Sequence, residues 1–130
     1  MICQEIVEII GIADDGSALN DLADQFRLGR DIKDIIPALS SGDINIILCA
    51  IWIVGELPSH IYNNELVLDF IYPLLNNSSA AVRLGALSAL FPVFEKSDAR
   101  ALLYLEKLNF DSNEVIRSCA EKALLKLRET

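Results

Sequence analysis

The side chains able to do chemistry are few in this chain, and none has an activating partner beside it. His60 is the single histidine, and Cys3, Cys49 and Cys119 are three widely spaced cysteines. General acid–base or nucleophilic catalysis needs a base within hydrogen-bond reach of a nucleophile or a carboxylate. His60 lies in "GELPSHIYNN", expected to be the longest loop between units, beside Tyr62, Asn63 and Asn64, and has neither, so a structural role is expected. The cysteine spacing matches no metal site and no disulfide framework, which suits a reduced, cytoplasmic compartment. No GxGxxG, P-loop, HExxH or CxxC motif occurs. The expectation is a protein that is not an enzyme and carries no cofactor and no metal.

Charge is the next candidate for function. The net charge of −8 is uneven: residues 1–69 hold twelve Asp and Glu against three Lys and Arg, and the remainder is close to neutral. Asp14, Asp15, Asp21, Asp24, Asp31, Asp34 and Asp43 are the candidate contributors to an acidic partner-binding surface. Two readings stand: a solvated face that keeps the chain soluble, or a surface that steers and selects a basic protein. Nucleic acid binding requires clustered cations that displace counterions, so no nucleic-acid partner is expected.

The elements that would carry these residues follow from hydrophobic patterning. The apolar run at 44–57, "INIILCAIWIVGEL", is shorter than the roughly 18 residues of a membrane span and contains Asn45 and Glu56. A buried core element, with no membrane association, is expected there. The first ten residues, "MICQEIVEII", lack a basic segment and carry Glu5 and Glu8, unlike a secretory signal. A length of 130 residues suits a single domain over 1–130.

The chain repeats itself. An offset of 36 aligns Pro37 with Pro73, Leu39 with Leu75, Ala50 with Ala86, Ile53 with Ala89 and Val54 with Leu90. A further offset of 34 aligns Val82-Arg83 with Ile116-Arg117, Ala86 with Ala120, Ala89 with Ala123 and Leu90 with Leu124. The later copies have helical spacing, so the β-branched 44–57 run is read as a helix too. Three helical hairpins are expected, at 31–58, 64–95 and 97–128. Their first helices cover about 31–40, 64–76 and 97–108, and their second helices about 43–57, 79–95 and 112–128. "EIVEIIGIA" and "ALNDLADQFRL", within 1–30, read as two atypical capping helices, since terminal units of repeat arrays close the core. Turns are expected at "SSGD", "NNSS" and "NFDSN", with Asp111-Ser112-Asn113-Glu114 as a capping box. The fold class is all-α, with about eight helices.

These hairpins resemble HEAT repeats. The likeness rests on Val82-Arg83 and Ile116-Arg117, each followed by spaced alanines and a leucine, and on Asp111 six residues before Arg117. The second unit has Asn77 in place of that acid, the first has Ser41 and Ile47, and Pro37 and Pro73 sit off the family's kink position. The resemblance covers about 100 residues. It implies a short α-solenoid of stacked antiparallel pairs, arginines that link neighbouring repeats, second helices lining a concave face, and a binding role.

Residues that break the repeat are not explained by the repeat's packing. Trp52 aligns with Ser88 and Lys122, Glu56 with Pro92 and Lys126, and Leu48 with Leu84 and Ser118. Leu48, Trp52 and Glu56 lie at i, i+4 and i+8, one stripe of one helix. Trp52 is either a core residue or a partner anchor. The stretch "FRLGRDIKDIIPALSSGD…WIVGEL" looks like small bacterial toxin-immunity proteins. That implies an inhibitor that neutralises a basic, nuclease-like toxin. The alternatives are an accessory or lyase-type HEAT-repeat protein and a scaffold component of a larger assembly.

Overall fold

The computed structural model describes residues 1–12, 16–95 and 98–129. Among them the regular structure is entirely helical, which bears out the all-α class. No helix among the described residues is long and apolar enough to cross a membrane. The chain divides into two compact units, Met1–Ile71 and Tyr72–Thr130.

The first unit contains α1 (Ile2–Ile10), α2 (Ser17–Arg27), a 3₁₀ turn (Ile32–Ile35) that runs into α3 (Ile36–Leu39), α4 (Ile44–Glu56), α5 (Ser59–Tyr62) and α6 (Glu65–Ile71). Helix α4 is the centre of this unit and packs against α1, α2 and α3. Ile46, Ile47, Ala50, Ile51, Ile53 and Val54 are its buried residues. The opposing side chains include Ile6 of α1, Leu22 and Phe26 of α2, and Leu39 of α3. Asp43 starts α4 by accepting hydrogen bonds from the Asn45 and Ile46 backbone N–H groups, at 2.8 and 3.4 Å. These are among the donors that a helix start leaves without intrahelical partners.

Arg30 ties this unit together. Gly29 takes φ +118°, a conformation that side-chain-bearing residues rarely adopt, and turns the chain after α2. The Arg30 guanidinium then donates to both carboxylate oxygens of Glu5 at 3.2 and 2.9 Å, to Asp34 at 3.2 Å and to the Gln25 amide oxygen at 2.9 Å. It also lies over the Phe26 ring, 5.2 Å from the centroid. One side chain thereby links α1, α2 and the turn before α3. The Arg30 hydrogen bonds hold the Glu5 carboxyl below its usual range despite the opposing effect of burial.

The second unit contains a 3₁₀ turn (Tyr72–Asn76), α7 (Ala80–Leu90) ending in a 3₁₀ turn (Phe91–Val93), α8 (Ala99–Leu108) and α9 (Glu114–Glu129). Helix α7 packs against α9 and the Tyr72–Asn76 turn, and α8 packs against α9. Ser79, Asp98 and Asn113 supply the N-terminal caps of α7, α8 and α9. Tyr72 is buried and donates its hydroxyl to Asp98 at 3.0 Å, with the Arg100 guanidinium 4.0 Å over its ring. Burial, and next the Asp98 carboxylate, raise the Tyr72 hydroxyl well above the ordinary tyrosine range.

Arg83 and Asp111 form the main polar link of this unit. Arg83 donates to both carboxylate oxygens of Asp111 at 2.9 and 3.1 Å and to the Asn77 carbonyl at 2.9 Å. Arg117 repeats the second contact, donating to the Asp111 carbonyl at 2.7 Å. The expected arginine link between neighbouring hairpins is therefore present between the second and third. Burial pushes the Asp111 carboxyl up, but the Asn113 N–H and the Arg83 guanidinium outweigh it and leave the group below its usual range.

Three local expectations need correction. The region after Pro58 is not a loop throughout, because Ser59–Tyr62 closes one helical turn. Asp111 does not cap α9: its carboxylate is taken by Arg83, and Asn113 caps the helix instead. The first helices at 31–40 and 64–76 are each part 3₁₀ and part α around Pro37 and Pro73. A proline lacks the N–H and crowds the preceding turn, so the chain uses the tighter i→i+3 pattern nearby.

The repeat register coincides with burial. Leu39, Leu75, Ala50, Ala86, Ala120, Ile53, Ala89, Ala123, Val54, Leu90 and Leu124 are all buried, as are Val82 and Ile116. Apolar residues recur at these positions, and the structure places each of them in the interior of its own unit.

Candidate protein-binding face on α4

The register-breaking positions point outward. Trp52 is 39% exposed, and its register equivalents Ser88 and Lys122 are also exposed. Glu56 and Pro92 are exposed and Lys126 is half-buried, while Leu48 and Leu84 are half-buried and Ser118 is exposed. Trp52 is thus a surface residue rather than a fully buried core residue.

Along α4 the apolar stripe begins at Ile44, which is 43% exposed, continues through Leu48 and reaches Trp52. At 1.5 Å per residue the eight steps from Ile44 to Trp52 span about 12 Å. Asp43 stands at one end of the stripe and Glu56 at the other, both exposed. The Arg27 guanidinium seals the far end of α4 by donating to the Glu56 carbonyl at 3.1 Å.

Gly55 belongs to this face, and the expectations above omitted it. It lies three residues beyond Trp52, on a neighbouring line of the helix, and a Cβ placed there would meet open space. Close packing therefore does not require this glycine, which sits in the last turn of α4. A signal was available in the register, where Gly55 aligns with the bulky Phe91 and Leu125.

The acidic candidates divide by local role. Asp43 caps α4, and Asp31 caps the 3₁₀ turn through the Lys33 N–H at 3.0 Å. Asp24 is paired with Arg27, Asp34 with Arg30, and Asp31 also with Lys33 at 3.8 Å. Asp21 is exposed on α2 and makes no ion pair among the described residues. Asp14 and Asp15 lie outside the described residues. Among the described residues, several of these carboxylates are thus occupied by caps or cations rather than gathered into one unpaired cluster.

Reactive groups are not assembled into a site. The three cysteines are free and half-buried. Burial, and then the negative charge of Asp43, push the Cys49 thiol up, which disfavours the nucleophilic thiolate. His60 is exposed in α5. No cluster of three or more His, Cys, Asp or Glu among the described residues could hold a metal ion.

A scan against protein-family models finds no match, and searches of the curated proteins and of the solved structures find none either.

Proposed function

We propose that the chain is a non-enzymatic protein-binding module whose acidic first unit engages a basic partner protein through the outer face of α4. The exposure of the chain's sole tryptophan, in line with Ile44 and Leu48, carries this reading. Tryptophan anchors bury a large area at low entropic cost and are enriched among interface hot spots. The net negative charge of residues 1–69 would speed encounter with a cationic surface and disfavour anionic ones. An inhibitor of the immunity-protein kind, covering the basic cleft of a toxin, is the concrete form of this function. A HEAT-like stacking of the hairpins belongs to the same proposal.

Immobilised wild-type chain, Trp52→Ala and Asp21→Lys/Glu56→Lys would be offered the same extract of the native cells. The expected result is one basic polypeptide retained in stoichiometric amount by wild type and lost by Trp52→Ala. For that polypeptide, the charge-reversed variant should associate more slowly at low salt, and the difference should shrink as salt screens it. Identical retention by wild type and Trp52→Ala would overturn the reading.

A further inference from the structure

The second unit presents an apolar cleft with a cationic edge, whereas the α4 face presents an exposed indole with an acidic neighbour. Between α7 and α9 runs an open cleft of about 330 Å³ lined by Leu87, Ser88, Phe91, Cys119 and Lys122. Its floor is apolar, and Lys122 stands exposed at its edge. Lys126, one turn further along α9, lies 4.6 Å over the Phe91 ring and donates to the Phe91 carbonyl at 2.7 Å. The cleft is therefore apolar within and cationic along one side.

The two faces occupy the same repeat register with inverted sizes. α4 carries Trp52 where α7 carries Ser88, and Gly55 where the 3₁₀ turn after α7 carries Phe91. An exposed indole thus has a small residue as its counterpart, and a half-buried phenyl ring in the cleft lining has a bare stretch of helix. The charges are inverted as well: Glu56 follows Trp52 by one turn, and its equivalents are Pro92 and Lys126. Facing helices pack by setting the ridges of one into the grooves of the other, which this pattern of large and small residues permits.

We propose that the cleft between α7 and α9 receives the Trp52 face of a second copy of this chain, with the Glu56 carboxylate meeting Lys122. This inference rests on the reading of the α4 face as an interaction surface and adds its regulation. A copy seated on another has its anchor covered, so the basic partner and the second copy compete for Trp52. A contact limited to one helix face and one cleft belongs with small, transient interfaces, so self-association is weak and appears only at high protein concentration. At low concentration the anchor is free for the partner.

Sedimentation equilibrium of the full chain from micromolar to millimolar concentration tests the proposal, together with the emission of its single tryptophan. Wild type should gain mass as concentration rises, with a blue shift as Trp52 leaves water. Trp52→Ala and Lys122→Glu should each weaken association by about tenfold or more, as expected for a central anchor and its charged neighbour. Adding Glu56→Lys to Lys122→Glu should restore much of it by re-forming the pair with reversed signs. A wild-type chain that stays monomeric throughout the range would overturn the proposal. So would variants that associate as wild type does. The extract-capture comparison is a separate readout: monomeric wild type alongside loss of capture by Trp52→Ala leaves the partner-binding reading standing.

Discussion

α4, α7 and α9 are register equivalents that share several buried positions and differ along their exposed stripe. Their inward positions hold the same kinds of residue: Ala50, Ala86 and Ala120 are all buried, and so are Val54, Leu90 and Leu124. Their outward positions hold tryptophan and glycine in one unit, and serine, phenylalanine and lysine in the other. Packing inside a hairpin tolerates little change in volume, whereas a solvent-facing side chain is free to follow the demands of binding. The difference separates residues that hold the helices together from residues available for recognition.

The largest expected effect breaks the inward half of this comparison. Ala86→Phe should cost about 3 kcal/mol or prevent folding, because the bulk enters a filled interior. The outward neighbour Ser88→Phe should shift stability by less than about 0.5 kcal/mol, as surface changes do. Urea denaturation of the two variants checks both, and similar losses would erase the distinction between the faces.

The polar link of the second unit comes next. Asp111→Asn should destabilise the fold by about 2 kcal/mol at neutral pH, since it weakens a mostly buried pair whose side chains are 8% and 14% exposed. The sign with pH follows from the lowered Asp111 carboxyl. Its stabilisation is complete above the unfolded aspartate value near 4 and is lost as pH falls through the lower folded value. Acid titration of thermal stability should therefore show a smaller decline in Asp111→Asn than in wild type.

A smaller effect sharpens the outward half. Gly55→Ala should stabilise the chain by about 0.5 kcal/mol, because alanine narrows the unfolded ensemble and nothing blocks its methyl group in the last turn of α4. If the bare position serves recognition, the same change should weaken partner capture. A variant both more stable and fully competent would remove Gly55 from the face. Smallest of all, Asp43→Asn should keep the cap of α4 while removing a negative charge that opposes Cys49 ionisation. Alkylation of Cys49 should rise by about twofold, measured by mass spectrometry of the folded protein.

The all-α class and many of the buried positions were legible in the sequence, because apolar residues recur at offsets of 36 and 34 and the structure buries them. The α5 turn was not, since four residues are too few to display a helical period. The cap of α9 was misplaced because Asp111 and Asn113 are both good caps, and only the reach of Arg83 decides between them. Trp52 was half legible: alignment with Ser88 and Lys122 hinted at exposure, while its apolar helix suggested core. The local duties of Asp24, Asp34 and Asp43 depend on which helix end or arginine each one meets, and a charge count carries no such information. Glu5 meets Arg30 from 25 residues away, a sequence distance that no local pattern encodes.

The central claim is that Trp52 is an accessible anchor, and the chain's single tryptophan makes it directly measurable. Steady-state emission and acrylamide quenching of the dilute, folded protein report on Trp52 alone. An anchor 39% exposed should emit to the red of a buried indole and be quenched readily. Blue-shifted emission protected from acrylamide in the dilute monomer would place Trp52 in the core and contradict the account.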